Sequence, residues 1–167
     1  MTREQYVSVM EWIRNKPYGI LMIKWSGKGI TYLTAFVYFA AGIFLVWQRD
    51  QRVIPLVVTP AVSFLLVSIF RGKYGAIRPY EKYGFVPLIP KETQGKSFPS
   101  RHVFSIFVIA TVICYIWLLP GIILLLLGMI LALLRVAMGV HFPKDVLAGA
   151  LIGVVCGCVG MGVWQLL

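Results

Sequence analysis

Residues 98–118 read FPSRHVFSIFVIATVICYIWL, a polar head at Ser100-Arg101-His102 running into an almost unbroken apolar stretch that closes at Trp117. A helix on the surface of a soluble domain carries a polar face at helical period, and this stretch carries none. It reads as a helix among apolar neighbours, with its charged end at a boundary with water. Similar runs lie on both sides, so spans are expected at Gly29–Trp47, Val53–Phe70, His102–Leu118, Pro120–Leu134 and Val146–Leu166. The fourth is short for a hydrocarbon core of about 30 Å and must borrow from its flanks. Pro55 suits a first helical turn, and Pro60 is expected to kink the second span.

Composition points the same way. Of 167 residues, 59% are hydrophobic and 13% charged, with a mean hydropathy of +0.84. An ordinary soluble enzyme does not need so much apolar surface, and 16 dispersed Gly and 9 Pro fit neither a disordered nor a collagen-like chain. The expected fold class is all-α: a single domain, 1–167, forming an integral membrane helical bundle of about five transmembrane helices plus an N-terminal interfacial amphipathic helix. That first helix is read in Arg3–Asn15, where Tyr6, Val9, Met10 and Ile13 recur at helical spacing until Pro17. Tyr18–Trp25 is apolar but too brief to span, and Lys24, Trp25 and Lys28 read as an anchor, making 1–28 one interfacial segment. The N-terminus lacks the charged-then-apolar pattern of a cleaved signal peptide, so the first span is expected to direct insertion. Cys114, Cys156 and Cys158 lie in apolar runs and read as packing side chains.

Trp47, Trp117 and Trp164 close the first, third and fifth spans, which places them at one membrane face. The connections on that face, Gln48–Arg52 and Leu119, are minimal. Arg71–Arg101 and Arg135–Lys144 are long and polar, and share the opposite face with the N-terminus. The 16 Lys+Arg against 6 Asp+Glu give a net charge of +10, which in so apolar a chain suggests anionic headgroups or a phosphorylated ligand rather than nucleic acid. Fourteen of these cations fall on the loop-rich face against two, Arg49 and Arg52, on the other, a distribution that argues for a cytoplasmic loop-rich face.

Polar residues at the ends of spans are costly unless used, and here they fall into three groups. Arg71, Lys73 and Arg78-Pro79 leave the second span, Pro99-Ser100-Arg101-His102 enter the third, and Arg135, His141 and Asp145 bridge the fourth and fifth. Guanidinium forks match phosphate oxygens, and Ser100 as an N-cap would aim the free amides of Arg101, His102 and Val103 at the same anion. Two imidazoles suffice for a nucleophile and a general acid, with Asp145, four residues after His141, in reach to orient it. Zinc on the two histidines and Asp145 is a rival arrangement opposed by the nearby arginines. A Ser100 nucleophile is weaker still, since no Gly-x-Ser-x-Gly elbow exists.

In this order, Arg71-x6-Arg78-Pro79, Pro99-Ser100-x-His102 and Arg135-x5-His141-x3-Asp145, the residues resemble the three-part signature of the phosphatidic acid phosphatase type 2 superfamily of membrane lipid phosphatases. The resemblance covers about Arg71–Gly149. It implies that His141 attacks phosphorus to form phosphohistidine, that Asp145 holds its other ring nitrogen, and that His102 protonates the leaving oxygen and then assists water. Arg71, Arg78, Ser100, Arg101 through its amide, and Arg135 would hold the phosphoryl oxygens, in catalytic loops 71–101 and 135–145, with neither metal nor cofactor. Three positions depart from the pattern: Arg71 stands for its lysine, with Lys73 out of register; Arg101 for the glycine before the histidine; Leu134 for the serine before the arginine.

The substrate expected is an amphiphilic lipid phosphate held at headgroup depth, with membrane lipids around it. An undecaprenyl-pyrophosphate-type carrier is the first choice because Arg101 could contact a second phosphate. Phosphatidylglycerophosphate, phosphatidate and a glycolipid phosphate are alternatives, and a non-enzymatic transport or assembly subunit is a reading of another class. Carrier-lipid relatives face outward, against the charge distribution. Lys82, Lys91 and Lys96 read as headgroup-binding or solvated charges, and Tyr74, Tyr80 and Tyr83 as an interfacial belt. Gly149, Gly153 and Gly157 form a smooth stripe, favoured as an internal packing face with a homodimer contact as the alternative to a monomer.

Overall fold

Thr2 opens the first helix: its hydroxyl accepts the amide of Gln5 at 3.4 Å while the Gln5 side chain takes the amide of Thr2 at 2.9 Å, a reciprocal cap. The computed structural model describes residues 1–90 and 94–166. Its helices are α1 (Arg3–Arg14), α2 (Gly19–Trp47), α3 (Val53–Tyr74), α4 (Pro79–Tyr83), α5 (Arg101–Ile116), α6 (Leu118–Ala137) and α7 (Pro143–Leu166), and no strand occurs among the described residues. Lys91 lies outside them.

One cluster fixes the topology. Ala41 and Leu45 near the end of α2, Leu56 at the start of α3, Ala110, Val112, Ile113 and Ile116 at the end of α5, Leu124 in α6 and Met161 late in α7 pack together. The five long helices therefore alternate in direction, and their other ends meet at the loops. Trp47 and Trp117 share this end, 6.3 Å and 5.6 Å from the ring of Phe44, and Trp164 lies beside Ile54 and Pro55. The tryptophan face read from the sequence is present.

Four helices, α2, the α3–α4 stretch, α6 and α7, are long and apolar enough to cross a bilayer alone. The short one is α5, not the expected fourth span. Its 16 residues reach about 24 Å at a rise of about 1.5 Å each. Borrowing has gone the other way, because the chain breaks at Trp117 and α6 starts at Leu118, ahead of Pro120. A short helix is tolerable here because α5 sits inside the bundle, packed against α7, α6, α3 and α2 rather than lipid. Phe36, Ile43, Leu65, Leu133 and Leu151 on the outer helices are all more than half exposed, a belt suited to acyl chains. Lipid is as apolar as these side chains, so contact packing holds the helices together.

The glycine stripe supplies that packing. A Cβ on Gly149 would lie 2.7 Å from the carbonyl oxygen of Ser100, and one on Gly153 would lie 2.8 Å from that of Phe104. The face is filled by α5 and is closed to a second copy, which removes the homodimer contact proposed for it.

Two N-terminal expectations change. α2 starts at Gly19, so the supposed anchor Tyr18–Trp25 is the lipid-edge end of one helix of 29 residues. Its polar Lys24 and Lys28 hid the continuity, while Lys28 covers the Trp25 ring at 5.5 Å. α1 turns Tyr6, Met10 and Ile13 not into lipid but onto Leu88, Tyr83, Phe85 and Phe142, leaving Val9 exposed. It is a lid on the loops of the functional end. α3 passes through Pro60 without ending.

Candidate active site

The loop between α3 and α5 is built around two arginines. Gly75, at φ 60, stops α3 just after Arg71, and Pro79 starts α4 just after Arg78. Glu81 accepts the amide of Arg78 at 2.7 Å and that of Gly95 at 2.8 Å, tying the two limbs of the loop together. Gly95 (φ 63) and Lys96 (φ 55) are left-handed, a cost of about 1 kcal/mol at the lysine. This turns three successive carbonyls inward. Arg78 Nε donates to Gly95 O at 3.0 Å, Arg71 Nη2 to Lys96 O, and Arg71 Nη1 to Ser97 O at 3.4 Å. Arg78 Nη1 also reaches Val140 O at 3.2 Å, the residue before His141. Both guanidiniums are buried and held before any ligand arrives.

The third group is set by the start of α7. Pro143 occupies the first turn, and Asp145 reaches back so that Oδ2 accepts the amide of Phe142 at 2.9 Å. Asp145 O accepts the amide of Ser100 at 2.8 Å, beside Gly149, which joins the α7 start to the α5 start. His141 Nδ1 lies 3.6 Å from Asp145 Oδ2, slightly too long for a hydrogen bond. Ser97 Oγ stands between them, donating to Asp145 Oδ2 at 2.5 Å and 3.5 Å from His141 Nδ1. Tyr6 of the α1 lid donates its hydroxyl to His141 O at 3.0 Å.

Burial pushes the His141 imidazole down to about 4; Asp145 pulls upward and the charges of Arg78 and Arg71 push down. The ring is therefore neutral at neutral pH, with an unprotonated nitrogen for nucleophilic attack.

His102 and His141 line one cavity of about 390 Å³ with Ser68, Arg71, Arg78, Arg101 and Lys96. The predicted residues converge, with qualifications. Arg135 is near enough to Arg78 for their charges to interact, and its Nε is buried without a partner. Ser100 is the N-cap of α5, its hydroxyl also buried and unpartnered, and the first amide to close a helical bond there is that of Phe104 at 2.9 Å. Arg101 does not join the buried cradle; its guanidinium lies over the Phe64 ring at 5.5 Å. Lys73 is exposed and does not line the cavity. Sequence reasoning missed Ser97 and Glu81, since a serine or glutamate in a polar loop carries no spacing signal. Arg71, Arg78, Arg101 and Lys96 on its wall, with the unpartnered hydroxyl of Ser68, make the cavity a place for a tetrahedral anion.

A membrane bundle bearing a cationic pocket with two imidazoles at its lipid edge defines the class, a membrane enzyme of phosphoryl chemistry. Residues 52–166 match the PAP2 superfamily, most of the chain, and the protein belongs to that family; it is a membrane lipid phosphatase. It is 33% identical to a putative undecaprenyl-diphosphatase, YbjG, of Escherichia coli over 80% of this chain and 69% of that one. A protein named bacitracin transport permease protein BcrC, of Bacillus licheniformis, is 29% identical over 77% of this chain and 70% of its own. The crystal structure of Aquifex aeolicus LpxE superposes with a TM-score of 0.72 at 30% identity, covering 93% of this chain and 94% of that one.

Proposed function

We propose that the protein removes the terminal phosphate of a lipid diphosphate of the undecaprenyl carrier type. The observation carrying this reading is a pair of adjoining cavities. The cationic one, with both histidines, meets a second of about 300 Å³ lined by Thr31, Ala35, Phe64, Ile106, Ile109 and Leu131 between α2, α3, α5 and α6. Arg101 and His102 line both. A headgroup in the first leaves a hydrocarbon tail in the second, so the substrate need not leave the membrane. The name of the Escherichia coli relative supports the carrier lipid.

His141 attacks phosphorus in line, and the bond to the leaving oxygen breaks with its electron pair on that oxygen. Asp145, through Ser97, orients the ring and offsets the charge it gains. His102, which lines the same cavity, donates a proton to the leaving oxygen and then takes one from the water that hydrolyses phosphohistidine. Arg71, Arg78 and Arg135 with the amides at the α5 start hold the phosphoryl oxygens. The steps call for no metal. Phosphate release by purified protein in detergent tests this: activity persists in chelator and is greatest on polyprenyl diphosphate. A chelator-abolished activity, or a preference for phosphatidate or phosphatidylglycerophosphate, contradicts it.

We place the active site outward, where a spent carrier is recycled. Of the fourteen opposing cations, four that lie outside the pocket have structural work: Arg3 Nε donates to Tyr83 O at 3.2 Å, Arg14 Nη2 to Val86 O at 3.2 Å, and Lys82 and Lys144 flank Phe142. In a cysteine-free background, an impermeant thiol reagent applied to intact cells should label Val86→Cys and spare Gln51→Cys. The reverse pattern puts the site inside.

A further inference from the structure

Arg71 and Arg78 each give two guanidinium nitrogens to loop carbonyls and keep the rest for a ligand, whereas the Arg101 guanidinium meets no acceptor among the described residues. It is exposed, and what steadies it is the face of Phe64 at 5.5 Å. Phe64 belongs to the apolar cavity, while Arg101 lines both that cavity and the cationic one. A permanent cation with free planar donors thus stands at the junction between the phosphate site and the tail site. A planar, permanently charged fork placed there matches the oxygens of a phosphate.

We propose that Arg101 binds the inner, tail-proximal phosphate of a lipid diphosphate and is the residue that selects diphosphates over monoesters. This deepens the reading given above and rests on it. In a lipid diphosphate one anhydride oxygen joins the phosphorus that His141 attacks to the phosphate that carries the tail. With the outer phosphoryl in the buried cradle and the tail between α2 and α3, the inner phosphate falls at the junction. A monoester places an alkyl oxygen there and no charge.

The chemistry gives Arg101 a role in the step itself. As the His141–phosphorus bond forms, the bond from phosphorus to the bridging oxygen breaks, and its electron pair passes to the inner phosphate. That group leaves as a lipid monophosphate with one more negative charge, which Arg101 faces. Such a phosphate, with a second pKa of about 6, is a far weaker base than an alkoxide and needs less help from an acid. Arg101 and His102 therefore divide the labour by substrate: the cation serves the diphosphate, and the proton donor serves the monoester more.

The test compares farnesyl diphosphate with farnesyl monophosphate in detergent, reading the ratio of their kcat/KM values for each variant. Because both substrates meet the same sample, the ratio does not depend on how much protein is folded. R101G should lower the diphosphate-to-monoester ratio about tenfold, as expected for one charge-assisted contact, and R101K should recover part of it. H102N should move the ratio the opposite way. A ratio for R101G within about twofold of wild type, or an R101K no better than R101G, overturns the assignment while leaving the phosphatase reading intact. A wild-type protein inert on both probes overturns that reading, and the role of Arg101 with it.

Discussion

The two ends of the bundle treat buried polar groups in opposite ways. In the helix bodies and toward the tryptophan end, Thr34 and Thr111 donate to the carbonyls of Ile30 and Phe107 one turn back in their own helices, at 2.8 Å each. Connections there are short, and Leu45 and Leu56 sit in a closed apolar cluster. At the loop end, Arg71, Arg78, Ser97 and Asp145 are satisfied across loops far apart in sequence. Buried atoms without partners gather there too: Ser68 Oγ, Ser100 Oγ, Arg135 Nε and Asp145 Oδ1. One end is self-sufficient, whereas the other keeps donors, Ser68 Oγ, Ser100 Oγ and Arg135 Nε, that the oxygens of an anion can meet; Asp145 Oδ1, an acceptor, is not one of them.

If that division is right, damage at the two ends separates stability from turnover. His141→Ala should reduce phosphate release by roughly 10⁴-fold or more with little change in the unfolding midpoint in detergent. Leu45→Ala should cost about 2–5 kcal/mol of stability yet leave turnover per folded molecule near wild type. Activity surviving His141→Ala, or lost in folded Leu45→Ala, breaks the comparison.

The glycine stripe offers a finer test along a single helix. Gly149→Ala crowds Ser100 at the active-site end, while Gly157→Ala crowds Thr111, where a Cβ would lie 2.6 Å from the Thr111 Cβ. Both should destabilise, by about 1–3 kcal/mol each. Only Gly149→Ala should also cost activity, about tenfold, through the link from Ser100 to Asp145. Equal kinetic losses in the two variants would mean that the ends are not separable.

Smallest in effect is the titration of His141. Burial holds its folded pKa at about 4 against 6.5 for an exposed imidazole. The unfolded chain therefore binds the extra proton first, and stability is lost as pH falls from about 6.5 to about 4. With two histidines in the chain, ¹⁵N NMR of His102→Asn in micelles should show the remaining ring neutral down to near pH 4. A midpoint near 6.5 would contradict its burial. Ser97→Ala, which takes away the hydroxyl bridging it to Asp145, should shift that midpoint and slow turnover about tenfold.

The sequence made the helical bundle legible because lipid removes the polar face that normally confuses a reading, leaving long apolar runs. It located the α2 start poorly, since lysines at a lipid edge look like a break when they are the outer turns of an overlong helix. It misjudged which span was short, because burial by neighbours, which lets α5 be brief, leaves no mark on an apolar run. His102, His141, Asp145 and the arginines were legible because their chemistry is rare at span ends. Ser97, Glu81 and the inward carbonyls of 95–97 were not, because loop closure and backbone direction place them.

The central claim is that His102 and His141 act on opposite sides of one phosphorus. A structure of the protein bound to orthovanadate tests it most directly. Vanadium should be five-coordinate, with His141 Nε2 at one apex, a His102 ring nitrogen about 3 Å from the opposite apical oxygen, and Arg71 and Arg78 on equatorial oxygens. Vanadate bound away from His141, or with His102 out of reach of that oxygen, would contradict it.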